Sequence, residues 1–177
     1  MKLEELRYDI MMNQKKGLPF MMAAVLIWTM IAVVSTLSLP MGLKNTIIFC
    51  CSCPLMPLAF MFGKIIKVDI FSRKNPLSNL GLLFTLNQML YLLIVMWICS
   101  ANPEKMVMVY AMVFGAHLLP FSWLYRSKAY AVFSIADTFL ALIVGCIFNA
   151  VAVAIVLVAM EAMLVLSLSL ELKKQTE

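Results

Sequence analysis

Two carboxylic acids sit deep in apolar stretches of the chain. Asp137 lies within SIADTFLALIVG and Glu161 within AIVLVAMEAMLVL. A bilayer core holds no water to solvate such a group, so an acid there is costly and by default marks an ion or proton pathway. His117, the single histidine, and the amides Asn87 and Gln88 interrupt other apolar runs. Two carboxyls brought together in a low dielectric resist ionising at once. They can share a proton, hold a cation or pair with His117, all of which is relay chemistry. On that reading Asp137, Glu161, His117, Asn87 and Gln88 form a proton or cation relay. The alternative is that both acids are protonated and only tie helices together.

A second cluster is CCSCPLMP, with Cys50 and Cys53 one helical turn apart beside Pro54 and Pro57. Thiols at a proline break can bind a soft metal ion such as Cu(I), a role the sixteen Met would also suit. Cys50, Cys51 and Cys53 are therefore metal-ligand candidates. Cys and Met are equally ordinary apolar side chains, and no further ligand stands at metal-site spacing. HExxH, GxSxG, Gly-rich phosphate-loop and paired CxxC patterns are missing, and nothing singles out a nucleophile.

The elements that must position these residues are transmembrane helices. Of 177 residues 64% are hydrophobic and 13% charged, about half the usual charged share of roughly 25%. A soluble domain of this size could not hide so much apolar surface. The apolar runs are continuous rather than alternating, which argues against a β-barrel. The expected class is an all-α integral membrane bundle of six helices over about 18–39, 43–62, 80–100, 106–124, 129–148 and 150–170. Each run can cross a core of about 30 Å at about 1.5 Å per residue. Residues 1–17 form an amphipathic cytoplasmic segment and 171–177 a cytoplasmic tail. The first run is too long for a signal-peptide core and reads as an uncleaved anchor.

With the N-terminus inside, twelve Lys and Arg fall on the cytoplasmic side, and only Lys44 and Lys105 fall outside. That asymmetry puts both ends in the cytoplasm and accounts for the net charge of +5 without nucleic acid. The partners expected are the bilayer and, for so small a bundle, a second copy of the chain. The loop KIIKVDIFSRKNPLSN and the face formed by Leu3, Leu6 and Ile10 both read as segments lying on the inner membrane surface. Trp97, Trp123, Tyr125 and Tyr130 fit interfacial belts, whereas Trp28 falls mid-span and must pack between helices or line a cavity.

Counting along the helices places the polar groups. Asp137 lies twelve residues before Asn149, at the turn between the last two spans, and Glu161 twelve after it. In an antiparallel hairpin both then lie about 18 Å below that turn. His117 and Asp137 lie ten residues either side of Ser127, about 15 Å above the inner turn. Asn87 and Gln88 start at a similar distance from the inner side. Ser134, Asp137, Ala141, Gly145 and Asn149 recur at spacings of three and four. That small-residue stripe points Asp137 into the bundle. Pro120, three residues after His117, opens or kinks the fourth span there.

The segments QKKGLPF, CCSCPLMPLA, NPLSNLGLLFTLNQMLYLLIVMW and PEKMVMVYAMVFGAHLLPFSWLYRSKAY, with HLLPFSWLYRSKAY the most characteristic, resemble an uncharacterised family of small bacterial multi-pass membrane proteins of unknown function. The resemblance spans Gln14–Tyr130. It implies a bacterial cytoplasmic membrane and brings no activity and no site residues. Asp137 and Glu161 lie beyond it. The function expected from the residues is a small proton- or cation-coupled transporter or permeation protein. The alternatives are an assembly or regulatory protein whose polar layer only specifies packing, or a soft-metal-binding protein.

Overall fold

The computed structural model describes residues 2–176, with the side chains of 2–175. Among these the chain is all helical: α1 (Leu3–Asn13), α2 (Leu18–Thr36), α3 (Met41–Cys50), α4 (Leu55–Ile65), α5 (Ser78–Ala101), α6 (Met106–His117), α7 (Leu119–Leu124), α8 (Lys128–Ile147) and α9 (Ala150–Thr176). Six stretches are long and apolar enough to cross a bilayer: Lys15–Thr36, Met41–Ile65, Ser78–Ala101, Pro103–Leu124, Lys128–Ile147 and Ala150–Gln175. In lipid every backbone polar group needs an internal partner, and a helix supplies one. The chain is a multi-pass membrane protein.

Two spans are broken where proline removes a backbone donor. The second divides into α3 and α4 across Cys51–Pro54, with Pro54 at the N-terminus of α4. The fourth divides into α6 and α7 at Leu118, with Pro120 in the first turn of α7.

The bundle is unevenly packed. The last helix, α9, lies between α2 and α8, and α6 lies against α8. This half contains Ile27, Trp28, Ile31, Tyr110, Ala111, Ala141, Ala154 and Leu157, all buried. Trp28 packs between helices, 5.6 Å from the ring centres of both Tyr110 and Phe114. By contrast α5 touches chiefly α6, and much of its length is exposed. Bare apolar side chains on α5, such as Leu86, Leu90 and Leu93, suit a helix whose outer face meets lipid.

At the end carrying most of the positive charge, α1 is tied beneath the bundle. Arg7 donates to the Trp123 carbonyl, and Asn75 donates to the Leu6 carbonyl and to Asp9. Ile10 and Met11 turn inward, while Leu3 and Tyr8 stay exposed. The apolar face of α1 is thus divided between the protein and its surroundings.

Candidate functional site

The buried acids are positioned by α8 and α9. The start of α8 is capped by Ser127, whose hydroxyl accepts from the Tyr130 N–H at 3.4 Å. The start of α9 is held by Asn149, whose side-chain oxygen accepts from the Ala152 N–H at 3.1 Å. Along α8 the buried face comprises Tyr130, Ser134, Asp137, Ala141 and Gly145. This is the small-residue stripe read from sequence, except that Asn149 is exposed and caps α9 instead.

The stripe permits a close approach of α6. A Cβ built on Gly115 would lie 2.9 Å from the Asp137 Cβ and from the Thr138 backbone nitrogen. One on Gly145 would lie 2.3 Å from the Met108 Cγ. On α9, Glu161 lies in a buried row with Leu157, Leu164 and Leu168.

Asp137 and Glu161 interact directly across the α8–α9 contact. Both are 0% exposed. None of their four carboxyl oxygens receives a hydrogen bond from an N–H or O–H donor among the described residues. Each oxygen therefore faces apolar packing or the other carboxyl. A proton on one group makes it the donor and leaves its neighbour the acceptor, and no other group among the described residues supplies that bond.

His117 shares the depth of the acids but not their site. Its Nδ1 faces the Phe114 carbonyl. A carbonyl only accepts, so Nδ1 carries the hydrogen and the neutral ring keeps an acceptor at Nε2. The ring packs on Phe114 and Phe121, with centres 5.0 and 6.1 Å away. His117 also lines a cavity of about 320 Å³, which falls within the range of small-molecule sites. This cavity runs from the loop between α4 and α5 up to Gln88, Phe114 and His117.

Gln88 is buried at its deep end. Asn87, one position along α5 and so about 100° around the helix, is half-buried and does not line it. Neither Asp137 nor Glu161 lines it. The five polar residues expected in one layer thus divide into a sealed carboxyl pair, a cavity floor of His117 and Gln88, and an outlying Asn87. Tyr130 stands between the first two. It lines the cavity, lies within electrostatic reach of Glu161 and donates to the Lys16 carbonyl at 2.8 Å.

Cys50 and Cys53 are exposed and Cys51 half-buried at the break between α3 and α4. The described residues contain no group of three His, Cys, Asp or Glu able to share a metal ion.

Sequence reading missed a second charged cluster. Lys16 is 0% exposed and pairs with Glu171 at 2.6 Å. The Glu171 carboxylate also accepts from the Ser127 hydroxyl at 2.6 Å and from the Ala129 N–H at 3.0 Å. One acid thus joins the entry to α2, the N-terminus of α8 and the end of α9. An anion on the first turn of a helix is further favoured by the helix dipole.

The chain reaches α2 through Lys15, Lys16 and Gly17, all at positive φ. Gly17 suits that conformation, and a Cβ there would sit 3.2 Å from the Tyr125 ring. Burial pushes the Tyr125 phenol upward, so it stays protonated and donates to Gln14 at 2.8 Å. Lys16 and Glu171 lie 155 positions apart, and both read simply as boundary charges in sequence.

No curated protein and no solved structure matches this chain. The family match, however, runs over residues 3–171, well past the Gln14–Tyr130 stretch that carries the resemblance in sequence, and takes in Asp137, Glu161 and the Lys16–Glu171 cluster. The chain belongs to DUF7010, a family of unknown function.

Proposed function

We propose that this protein is a small permeation or transport protein of the bacterial cytoplasmic membrane, with both ends in the cytoplasm. Its proton-responsive element is the Asp137–Glu161 pair. The observation that carries this reading is the isolation of that pair: two facing carboxyls with no donor but each other among the described residues. Charging both would put two unpaired negative charges side by side in a low dielectric. One proton relieves the repulsion and supplies the missing hydrogen bond, so the pair titrates as a unit. A change in its protonation alters the contact between α8 and α9, the two helices that Glu171 also ties together at the inner end. The cavity that rises from the inner side to His117 and Gln88 supports a solute route to the same depth.

The exclusion of both acids from that cavity favours a second reading, in which the pair serves only to fix α8 against α9. The two readings separate in proteoliposomes. Proton flux under an imposed membrane potential is measured for the wild type, Asp137→Asn and Glu161→Gln. Transport predicts that both variants fall to the level of protein-free vesicles while keeping their melting temperature in detergent. Equal flux from all three proteins would refute the transport reading. Lower melting temperatures with unchanged flux would establish the packing role.

A further inference from the structure

The cavity beside the carboxyl pair has a distinct chemistry of its own. Its walls are apolar and aromatic, formed by Phe20, Met21, Leu55, Phe114 and Phe121. Among the described residues Arg73 is the one fixed charge that lines it, and no carboxylate does. At the mouth Arg73 stands with Ser72 and Asn79, at the level where α4 ends and α5 begins. Arg73 has no ion-pair partner among the described residues. The floor, His117 and Gln88, is uncharged when the imidazole is neutral, so no fixed charge opposes an apolar chain.

The cavity also opens sideways. Helix α4 packs on α2, whereas α5 packs on α6 and α7, and no substantial contact joins α4 to α5 among the described residues. Met56 on α4 and Leu82 on α5 line the cavity and are exposed, so they mark the two rims of this gap. From the start of α5 at Ser78 to Gln88 is ten residues, or about 15 Å of rise. That depth is one leaflet of a hydrocarbon core about 30 Å thick.

We propose that this cavity binds a single-chain anionic amphiphile, a long-chain carboxylate, that enters from the inner leaflet between α4 and α5. The carboxylate pairs with Arg73 and accepts hydrogen bonds from Ser72 and Asn79. The chain lies along the aromatic wall and ends at the mid-membrane floor. Guanidinium matches a carboxylate in shape as well as charge. The absence of any acid from the lining among the described residues disfavours a cationic amphiphile, and a volume of about 320 Å³ leaves a diacyl lipid's second chain outside. Binding at this site does not depend on whether the protein moves a solute.

The test uses the full chain in phosphatidylcholine nanodiscs and cis-parinaric acid, a fluorescent eighteen-carbon carboxylate. The expected result is a saturable signal above empty nanodiscs. It is displaced by palmitate and not by hexadecyltrimethylammonium or by phosphatidylglycerol. Thr85→Trp, which fills the cavity from α5, abolishes the signal while the melting temperature holds. Should that variant fail to fold, Arg73→Gln on the surface loop decides. It weakens parinarate severalfold and leaves its methyl ester unchanged. Any one of four results would overturn the proposal: no saturable signal, undiminished binding by folded Thr85→Trp, an Arg73→Gln variant that binds parinarate like the wild type, or displacement by the cationic or diacyl competitor as effective as by palmitate.

Discussion

Replacing one member of the acid pair strands the other. Asp137→Leu leaves the Glu161 carboxyl buried with no polar neighbour to bond, and a buried unsatisfied group costs about 1–3 kcal/mol. Glu161→Leu does the same to Asp137. The double variant removes both orphans, so its loss is expected to be smaller than the sum of the singles, with a coupling of about 0.5–3 kcal/mol. Unfolding of the four proteins in detergent measures this, and strict additivity would mean that the carboxyls do not interact. The glycines facing this site are a second residue-scale case. Gly115→Ala drives a Cβ into the backbone of α8 at Thr138, which cannot swing aside as a side chain can. A cost of about 1–3 kcal/mol is expected from overpacking of this kind. Gly42→Ala, with nothing within 4 Å of the new methyl, is the control and should leave the melting temperature near that of the wild type.

Among the elements, the Lys16–Glu171 cluster fixes how three helices meet at the end of the bundle that carries both chain ends. Glu171→Gln keeps the shape but removes the counter-charge of a lysine that water does not reach. Breaking a fully buried pair costs about 3–5 kcal/mol. The Glu171 side chain is 26% exposed, so water relieves part of that. A loss of about 1–3 kcal/mol is expected here, against less than about 1 kcal/mol for Glu4→Gln in the exposed Arg7 pair. Comparing the two melting temperatures checks the ranking. The proline breaks belong to this scale as well. Both were legible in sequence, because a missing N–H is a local property of the chain. What each break positions was not. Pro120 ends α6 just beyond His117, but the ring turns toward Phe121 and the cavity rather than toward Asp137.

For the whole molecule, six crossings return both ends of the chain to one side, and the topology proposed above, argued from the distribution of Lys and Arg, makes that side the cytoplasm. With the native cysteines replaced, single cysteines at Lys67 and Gln175 should react with a membrane-impermeant maleimide from the cytoplasmic side only, and one at Asn102 from the opposite side only. Labelling intact cells and inside-out vesicles tests this, and the reverse pattern would invert the topology. The sequence by itself indicated six membrane-crossing runs and the depth of Asp137, Glu161, His117, Asn87 and Gln88 along them. Depth follows from the covalent chain, since each helical residue advances about 1.5 Å whatever surrounds it. It also indicated the inward face of Asp137, because small residues recurring with the helical period mark a close contact wherever the partner lies. Only the tertiary structure decided which groups at one depth meet. Each residue turns about 100° around its helix, so contact depends on how every helix is rotated and placed by its neighbours. For that reason Asp137 met Glu161 while His117 and Gln88 came to line a cavity. The cavity exists because α4 and α5 pack on different partners and leave a gap between them, which no local pattern of residues encodes.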